Sequence, residues 1–361
     1  MANAPWSVVL GAGLMGRLLA HTLARAGHRV EVHEAQGPDA QGAAARVAAA
    51  MLAPLAESAI TEPSVVRMGE YAIPRWQALI GQLPEPVFFQ REGTLIVWHR
   101  QDQAEARRFA QRLTHHQAQQ PSLPAPQALD RAGVQTHEPA LADRFHQALY
   151  LPGEGQLDNR QLLAALLASL QAQGVALHSH SPRAPADFQP GTPAQPDWVF
   201  DCRGIGARTQ WRQLRGVRGE VLRLHAPDVT LQRPTRLIHP RYPIYIAPKP
   251  GQVFVIGATE IETEDLSPAS VRSTLELLSA AYTVHSGFAE ARILEVGTQV
   301  RPTLPDNLPA VQALSPRCLQ INGLYRHGFM ISPAVLDAVM QWVQSGETTL
   351  AAKFGLRFDH A

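Results

Sequence analysis

The residues near the amino terminus have the types and the spacing that bind a dinucleotide. Three glycines, Gly11, Gly13 and Gly16, follow the apolar run Val8-Val9-Leu10 in the pattern G-x-G-x-x-G. Such glycines permit a tight turn and the close approach of a pyrophosphate, which then lies at the positive end of the following helix. Glu34 comes 18 residues after Gly16, where a carboxylate accepts hydrogen bonds from an adenosine ribose. An ordinary strand-to-helix turn would leave Glu34 unexplained, so the sequence predicts a dinucleotide site. The predicted contacts in this region are Gly11, Gly13, Leu14, Met15, Gly16, Glu34 and Ala35.

Signals typical of a nucleotide-binding sheet occur at the beginning, in the middle and at the end of the chain. They are strand 7–10, helix 14–26, strand 29–34, the segment 198–206, strand 318–322, the turn 323–328 and helix 333–344. The segment 198–206 is predicted as a buried strand that ends in a glycine turn, and its Gly204 and Gly206 are also predicted cofactor contacts.

Segments with the pattern of antiparallel strands lie between these signals. They are 85–98, with a turn at Glu92-Gly93, then 217–225, 236–238, 243–248, 252–258 and 291–300, with a helix at 267–284. This interleaving predicts an α/β two-domain flavoprotein in which a Rossmann-like FAD-binding domain alternates with an antiparallel-sheet substrate domain. The predicted FAD-binding domain comprises 1–80, 150–215 and 298–361, and the substrate-binding domain comprises 81–149 and 216–297.

Three further segments connect these elements. Asp158 is a natural N-cap for a helix over 159–174. The stretch 114–127 is rich in Gln, His and Pro and is predicted as a surface connection, and the proline-rich stretch 181–197 is predicted as a loop.

Composition excludes several classes of protein. The 361 residues are 45% hydrophobic and 17% charged with a net charge of +1, so neither nucleic acid nor an anionic membrane is an expected partner. Only two cysteines are present, Cys202 and Cys318, which favours a reducing compartment and core positions over a disulfide framework. The first apolar run is already the first strand, so we expect a soluble, cytoplasmic protein without a signal peptide. The spacing shows no metal cluster, catalytic triad or P-loop.

Four segments, taken together and in this order, resemble the D-amino-acid-oxidase family of flavoproteins, and within it the glycine oxidases of the ThiO type. They are GAGLMG at 11–16; AAAMLAPLAE at 48–57; IYIAPK at 244–249 with VIGAT at 255–259; and VRP at 300–302 with Asp306 and GLYRHG at 323–328. Two departures are visible. Ala50 replaces the usual glycine before Met51, and Leu324-Tyr325 replaces the usual Gly-His pair.

The resemblance implies FAD as cofactor and a substrate whose Cα hydrogen passes as hydride to the flavin N5 atom. It implies that Arg301, placed at a strand end, binds the substrate carboxylate with the Tyr245 hydroxyl. A guanidinium and a hydroxyl are well suited to that task. Arg326 is implied near the substrate amine and the flavin, partly through backbone atoms, and the N-terminus of helix 333–344 is implied to face the ring carbonyl. The further implied FAD contacts are Ala49, Ala50, Met51, Leu52, Arg326, His327, Gly328, Phe329 and Met330.

The implied reaction is the oxidation of glycine or another small amino acid or amine, with dioxygen reoxidising the flavin and giving hydrogen peroxide. The imine product would hydrolyse to glyoxylate and ammonia when glycine is the substrate, or would enter thiazole formation in thiamine biosynthesis. The roles of His239, Tyr242 and Glu260 stay open, although an acid at position 260 favours small or cationic substrates. A homo-oligomer is the precedent in the family, and the sequence leaves this point open.

Three other enzyme classes and one non-catalytic role remain as alternatives. They are a D-amino-acid dehydrogenase with a non-oxygen acceptor, a sarcosine-oxidase-like enzyme with covalent flavin, an NAD-dependent dehydrogenase and a flavin-binding scaffold. Cys318 is the one cysteine near the C-terminal motif, but it lies on the strand entering that motif, which argues against attachment. The interleaved architecture argues against the NAD enzyme, and the presence of both Arg301 and Tyr245 argues against the scaffold.

Overall fold

The computed structural model describes residues 4–241 and 243–360 of the chain. The strands in this part are β1 Trp6–Leu10, β2 Arg29–His33, β3 Met51–Leu52, β4 Phe89–Gln90, β5 Thr94–Trp98, β6 Gln127–Leu129, β7 Ala148–Leu151, β8 Gly155–Leu157, β9 Ala176–His178, β10 Trp198–Asp201, β11 Arg215–His225, β12 Thr235–Ile238, β13 Ile244–Lys249, β14 Val253–Gly257, β15 Arg292–Thr303, β16 Ala310–Ser315, β17 Cys318–Asn322 and β18 Arg357–His360. The helices are α1 Leu14–Arg25, α2 Pro54–Ser58, α3 Pro63–Ile80, α4 Gln103–Gln119, α5 Arg131–His137, α6 Asn159–Ala172, α7 Val271–Val284, α8 Gly328–Ser345 and α9 Thr349–Phe354.

The first sheet has seven strands in the order β18-β16-β17-β10-β1-β2-β9. Strand β1 is central and pairs in parallel with β2 and β10, so that Val9 lies opposite Val32 and Phe200. Val8, Val9 and Leu10 are fully buried, as expected for a parallel strand that is covered on both faces. The prediction that 198–201 belongs to the same sheet as the glycine motif is confirmed.

The second sheet has eight strands in the order β15-β11-β14-β13-β12-β5-β7-β6. Its pairings are antiparallel except for β12 with β5. A small third sheet, β3-β8-β4, completes the fold. The predicted α/β class, a Rossmann-like sheet with an interleaved antiparallel sheet, is confirmed, whereas the exact domain boundaries stay a prediction.

Three predicted elements differ from the structure. Residues 85–98 do not form a hairpin, because β4 pairs with β8 while β5 pairs with β7 and β12. The predicted surface connection at 114–127 begins within α4, which extends to Gln119. Strand β15 continues past 300 to Thr303, so that Arg301 lies inside the strand, opposite Val217.

Helix α8 begins at Gly328, five residues before the predicted start. A proline inside a helix has no N–H to donate to the carbonyl four residues earlier, so Pro333 leaves the Phe329 carbonyl without its usual donor. In the structure the Trp76 indole supplies that missing donor, since its Nε1 lies 2.7 Å from the Phe329 carbonyl oxygen. The helix therefore includes Pro333.

The helix that follows Asp158 confirms its prediction. The Asp158 Oδ1 accepts hydrogen bonds from the backbone N–H groups of Arg160 and Gln161, each at 2.9 Å. No helix in the described ranges combines the length and the apolar character that crossing a bilayer requires.

Candidate cofactor and substrate site

The glycine-rich loop between β1 and α1 has a shape that only glycine permits at two of its positions. Gly11 has φ of +92°, and a Cβ there would lie 2.8 Å from the Cys202 carbonyl oxygen. A Cβ on Gly16 would lie 1.9 Å from the Gly11 carbonyl oxygen. The first turn of α1 therefore packs directly on the loop, and its unpaired N–H groups are positioned for an anion.

The Glu34 carboxylate is fixed at the end of β2 beside this loop. Its Oε2 accepts a hydrogen bond from the Ala12 N–H at 2.6 Å, and its Oε1 accepts one from the Gln36 N–H at 2.9 Å. Two backbone donors thus hold the acid in one orientation next to the glycine motif, as a ribose contact requires.

A cavity of about 1170 Å³ runs from this loop to the second sheet. The predicted residues in its wall are Gly11, Gly13, Leu14, Met15, Glu34, Ala35, Ala49, Ala50, Met51, Gly204, Gly206, Tyr245, Arg301, Arg326, His327, Gly328, Phe329 and Met330. Two predicted contacts are not in the wall. Gly16 packs against Gly11, and the Leu52 side chain is fully buried in the core of the first sheet. These two residues shape the cavity from behind.

Arg301 and Tyr245 lie together at the far end of the cavity. The Arg301 guanidinium lies over Gly219, where a Cβ would be 2.2 Å from Nη2, and Nη1 donates to the Thr259 carbonyl at 3.2 Å. The Tyr245 hydroxyl lies over Gly257 in the same way, 2.6 Å from the Cβ position. Two glycines thus provide the room for both side chains.

The Arg301 guanidinium has no carboxylate partner among residues 4–241 and 243–360, because no acidic oxygen in these ranges lies within 4.0 Å of it. Burial lowers the pKa of Arg301 and raises that of Tyr245, so the tyrosine keeps its proton at neutral pH. A half-buried cation and a phenolic O–H therefore face the cavity, and both are suited to bind an anion.

The other two arginines of this region are paired with acids. Glu57 contacts Arg236 at 2.8 Å and Arg326 at 3.0 Å, and its Oε2 lies 3.5 Å from the His327 Nδ1. Burial alone would raise the pKa of Glu57, but Arg326 and Arg236 outweigh it and lower the pKa to about 2. Arg326 also donates to Glu260 at 2.9 Å. Its side chain is thus held by two carboxylates, and the predicted contact with a substrate amine stays a prediction.

Comparison with known proteins agrees with this geometry. The family model for FAD-dependent oxidoreductases, named DAO, matches residues 7–342. The chain belongs to the DAO family. It is 40% identical over 92% of its length, and over 94% of the relative, to a Rhizobium etli protein assigned by name to thiamine biosynthesis as the oxidoreductase ThiO. It is 28% identical to a glycine oxidase of Geobacillus kaustophilus over 58% of this chain and 60% of that protein. The crystal structure of a glycine oxidase from the same organism matches with a TM-score of 0.80 at 23% identity, covering 97% of this chain and 98% of that one.

FAD is the cofactor of the DAO family, and the residues present here fit it. The loop has room for a pyrophosphate only because positions 11 and 16 carry no Cβ. Glu34 is held beside the loop, where it can accept hydrogen bonds from a ribose. The cavity of about 1170 Å³ exceeds the size typical of small-ligand pockets, as a dinucleotide requires. The wall beyond the loop is formed by small and apolar residues such as Ala49, Ala50 and Met330, against which a flat ring system can lie.

Two residues of this DAO-family site were missed by sequence reasoning. Arg236 lies on β12 and belongs to no sequence motif. Only its ion pair with Glu57 shows that it is part of the site. Lys249 ends β13, and its Nζ donates to the carbonyl oxygens of Ala49 at 2.9 Å and Leu157 at 2.7 Å. Burial lowers the pKa of Lys249 to about 7. The lysine ties the segment around Ala49, which lines the cavity, to β8 and β13.

The residues with open or alternative roles are placed as follows. His239 lines the cavity, and Tyr242 lies outside the described residues. Cys318 is buried against Val8 and Val199 in a cluster on the first sheet and is not part of the cavity wall. This position argues against covalent flavin at Cys318.

A buried carboxyl behind the site makes stability dependent on pH. Glu154 is 1% exposed and accepts a hydrogen bond from the Ala56 N–H at 2.7 Å, and burial raises its pKa from 4.5 to about 7. The folded protein therefore holds this proton between pH 4.5 and 7 while the unfolded chain releases it, so stability falls as pH rises through that window. Between pH 4.5 and 8, this carboxyl is expected to lower the free energy of unfolding of the wild type by on the order of 3 kcal/mol. Glu154→Gln is expected to abolish that decrease.

Urea unfolding at pH 4.5 and pH 8 measures this effect as the difference between wild type and Glu154→Gln. The exposed Glu85, changed in the same way, is the control and leaves the wild-type dependence unaltered. Parallel pH profiles for wild type and Glu154→Gln would show that this carboxyl is ionised in the folded protein.

Proposed function

We propose that the protein oxidises glycine, or another small amino acid or amine, with FAD as the electron acceptor, and that it serves thiamine biosynthesis. The observation that carries the proposal is the half-buried Arg301, which has no carboxylate partner among the described residues and lies beside Tyr245, at one end of a cavity whose other end is the dinucleotide loop. The names of the Rhizobium and Geobacillus relatives support glycine and the thiamine pathway.

Arg301 and Tyr245 bind the substrate carboxylate in this proposal. The guanidinium pairs with the carboxylate and the Tyr245 hydroxyl donates a further hydrogen bond, which fixes the substrate at one end and leaves its Cα directed into the cavity. Bound FAD supplies the two-electron acceptor that amino-acid oxidation needs. The apolar side chains of Met51, Phe329 and Met330 exclude water from this part of the wall.

The start of helix α8 contributes electrostatically. Gly328, its first residue, lines the cavity, and the buried helix extends away from it to Ser345. The positive end of the helix dipole therefore favours negative charge at this wall of the cavity. We propose that the turn Tyr325–His327 and Gly328 lie beside the flavin ring, as the resemblance implies.

Dioxygen is the proposed second substrate, giving hydrogen peroxide, and the imine product hydrolyses to glyoxylate and ammonia when glycine is oxidised. A reducing cytoplasm suits the two free, buried cysteines, Cys202 and Cys318. We propose a homo-oligomer on the precedent of the family.

Anaerobic titration of the purified, FAD-loaded protein tests the proposal. Glycine, sarcosine, D-alanine and D-proline are added in turn while the oxidised flavin band near 450 nm, roughly where such bands lie as a property of the cofactor, is recorded. Glycine is expected to bleach the band, and air is expected to restore it with release of peroxide. Bleaching without recovery in air would replace the oxidase by a dehydrogenase, and a band that none of the four amino acids bleaches would contradict the proposal.

A further inference from the structure

Two histidines and a glutamate meet on one face of the first sheet, outside the cavity wall. Side chains alternate along β2, so that Val30 and Val32 are buried in the core while Glu31 and His33 point to the opposite face. The edge strand β9 pairs in parallel with β2 and places His178 directly opposite His33. The three side chains therefore share one face of the sheet. We call Glu31, His33 and His178 the His33 cluster.

The spacing within the His33 cluster is close to that of a metal site. Each residue offers one ligand atom, and the three atoms lie within 4.8 Å of one another. His178 Nε2 lies 3.9 Å from Glu31 Oε2, and the rings of His33 and His178 stack with their centroids 4.7 Å apart. Within residues 4–241 and 243–360, no other three side chains of His, Cys, Asp or Glu meet this spacing. The sequence predicts no metal cluster, because its two histidines lie on strands that are distant in the chain.

Neighbouring side chains orient two members of the His33 cluster. Ser181 Oγ lies 3.1 Å from His33 Nδ1. A hydrogen bond at one ring nitrogen commonly orients a histidine whose other nitrogen binds a metal. Arg29 donates to Glu31 Oε1 at 2.8 Å, while Oε2 is the oxygen that lies near His178. The carboxylate therefore keeps one oxygen for a ligand while the arginine holds the other.

We propose that the His33 cluster binds a divalent transition-metal ion of the zinc type. Imidazole nitrogen and carboxylate oxygen are ordinary ligands of Zn²⁺, and a site with three protein ligands completes its tetrahedron with water. Bonds of about 2.0–2.2 Å require the three side chains to move slightly closer together. His33 and Glu31 are half-buried and His178 is exposed, so the side chains can close on an ion that enters from solvent. Mg²⁺ and Ca²⁺ prefer sites made of oxygen alone, and the two histidines disfavour them.

A metal at the His33 cluster cross-links the sheet edge next to the dinucleotide site. Glu34 directly follows His33, and its N–H donates to the His178 carbonyl oxygen at 2.9 Å. Its own carbonyl accepts a hydrogen bond from the Ser181 N–H at 2.8 Å. Metal binding therefore braces the backbone that carries the Glu34 carboxylate. Since the cluster lies outside the cavity wall, this inference is independent of the proposed oxidation of glycine.

Isothermal titration calorimetry tests the inference on the untagged, FAD-loaded protein, which is first treated with a chelator and then titrated with ZnCl₂. The wild type is expected to bind one Zn²⁺ per chain at the His33 cluster, and MgCl₂ is expected not to compete. Changing an outer-shell partner of a metal ligand weakens metal binding about 10- to 100-fold, and loss of a ligand weakens it at least as much. His178→Ala is therefore expected to raise the Kd for Zn²⁺ at least tenfold. Glu31→Gln, which keeps the shape of the side chain, is expected to raise it in the same direction.

His115→Ala is the matched control, because it removes an exposed histidine of α4 that is not part of the His33 cluster. Its Kd for Zn²⁺ is expected to equal that of the wild type, and flavin absorbance with circular dichroism establishes that each variant is folded and loaded. Diffraction at the zinc absorption edge from a crystal soaked in ZnCl₂ is expected to give an anomalous peak between the three side chains. A wild type that binds no Zn²⁺ overturns the inference, as does an unchanged Kd in His178→Ala, an equal rise in His115→Ala or a zinc peak found only elsewhere.

Discussion

Replacing Arg301 by alanine is expected to raise the apparent KM for glycine by about 30-fold or more while FAD stays bound. The residue is half-buried at the far end of the cavity from the dinucleotide loop, and its guanidinium is the proposed partner of the substrate carboxylate. Truncating one partner of a buried, hydrogen-bonded charge pair costs about 2–5 kcal/mol. Steady-state kinetics over a wide glycine range measures the KM, and the flavin-to-protein absorbance ratio measures cofactor content.

Two further variants test whether the rise in KM is specific to the Arg301 guanidinium. Arg301→Lys keeps the charge but loses the two-pronged geometry, so its KM is expected to fall between those of wild type and Arg301→Ala. Arg292→Ala removes an exposed arginine at the start of the same strand and is expected to behave as wild type. Loss of flavin from Arg301→Ala, with unchanged affinity for glycine in the protein that keeps it, would place Arg301 at the cofactor instead of the substrate.

The distribution of charge in the site explains why Arg301 is the residue proposed to bind the substrate carboxylate. Three guanidinium groups and two carboxylates surround this end of the cavity. Arg236 and Arg326 both form ion pairs with Glu57, and Arg326 forms a second ion pair with Glu260. Arg301 donates only to carbonyl oxygens among its described hydrogen-bond partners. A carboxylate that enters the cavity can therefore pair with Arg301, the guanidinium that has no acidic partner among the described residues.

The parts of the fold that sequence could predict are those whose signals are local. The apolar run before Gly11 and the cap at Asp158 depend on neighbours within one strand or helix. The strand and the cap are found as predicted. Glu34 lies beside the glycine loop, and its contact with a ribose stays a prediction. The resemblance added Arg301 and Tyr245, which no local pattern marks, and the structure places both in the same cavity.

The rest depends on contacts between distant segments. Helix α8 starts at Gly328 because Trp76, more than 250 residues away, bonds the Phe329 carbonyl. Strands β4 and β5 do not pair with each other, because β4 pairs with β8 and β5 pairs with β12. Arg236 joins the site only through Glu57. Short-range periodicity contains none of this information, and these are the places where the predictions were wrong or incomplete.

Gly16→Ala is expected to yield a folded protein with less bound flavin, whose Kd for FAD is raised about 5- to 150-fold, because overpacking of this kind costs about 1–3 kcal/mol. The new Cβ would lie 1.9 Å from the Gly11 carbonyl oxygen, so the first turn of α1 must move away from the loop that is to receive the pyrophosphate. FAD titration by fluorescence quenching measures the Kd, and circular dichroism shows whether the fold persists. Gly81→Ala is the matched control, because the contact that its Cβ would make is an ordinary 3.4 Å to the Gln77 carbonyl oxygen. Wild-type flavin content in Gly16→Ala would mean that the loop tolerates displacement, and that the glycine spacing serves helix packing and not the cofactor.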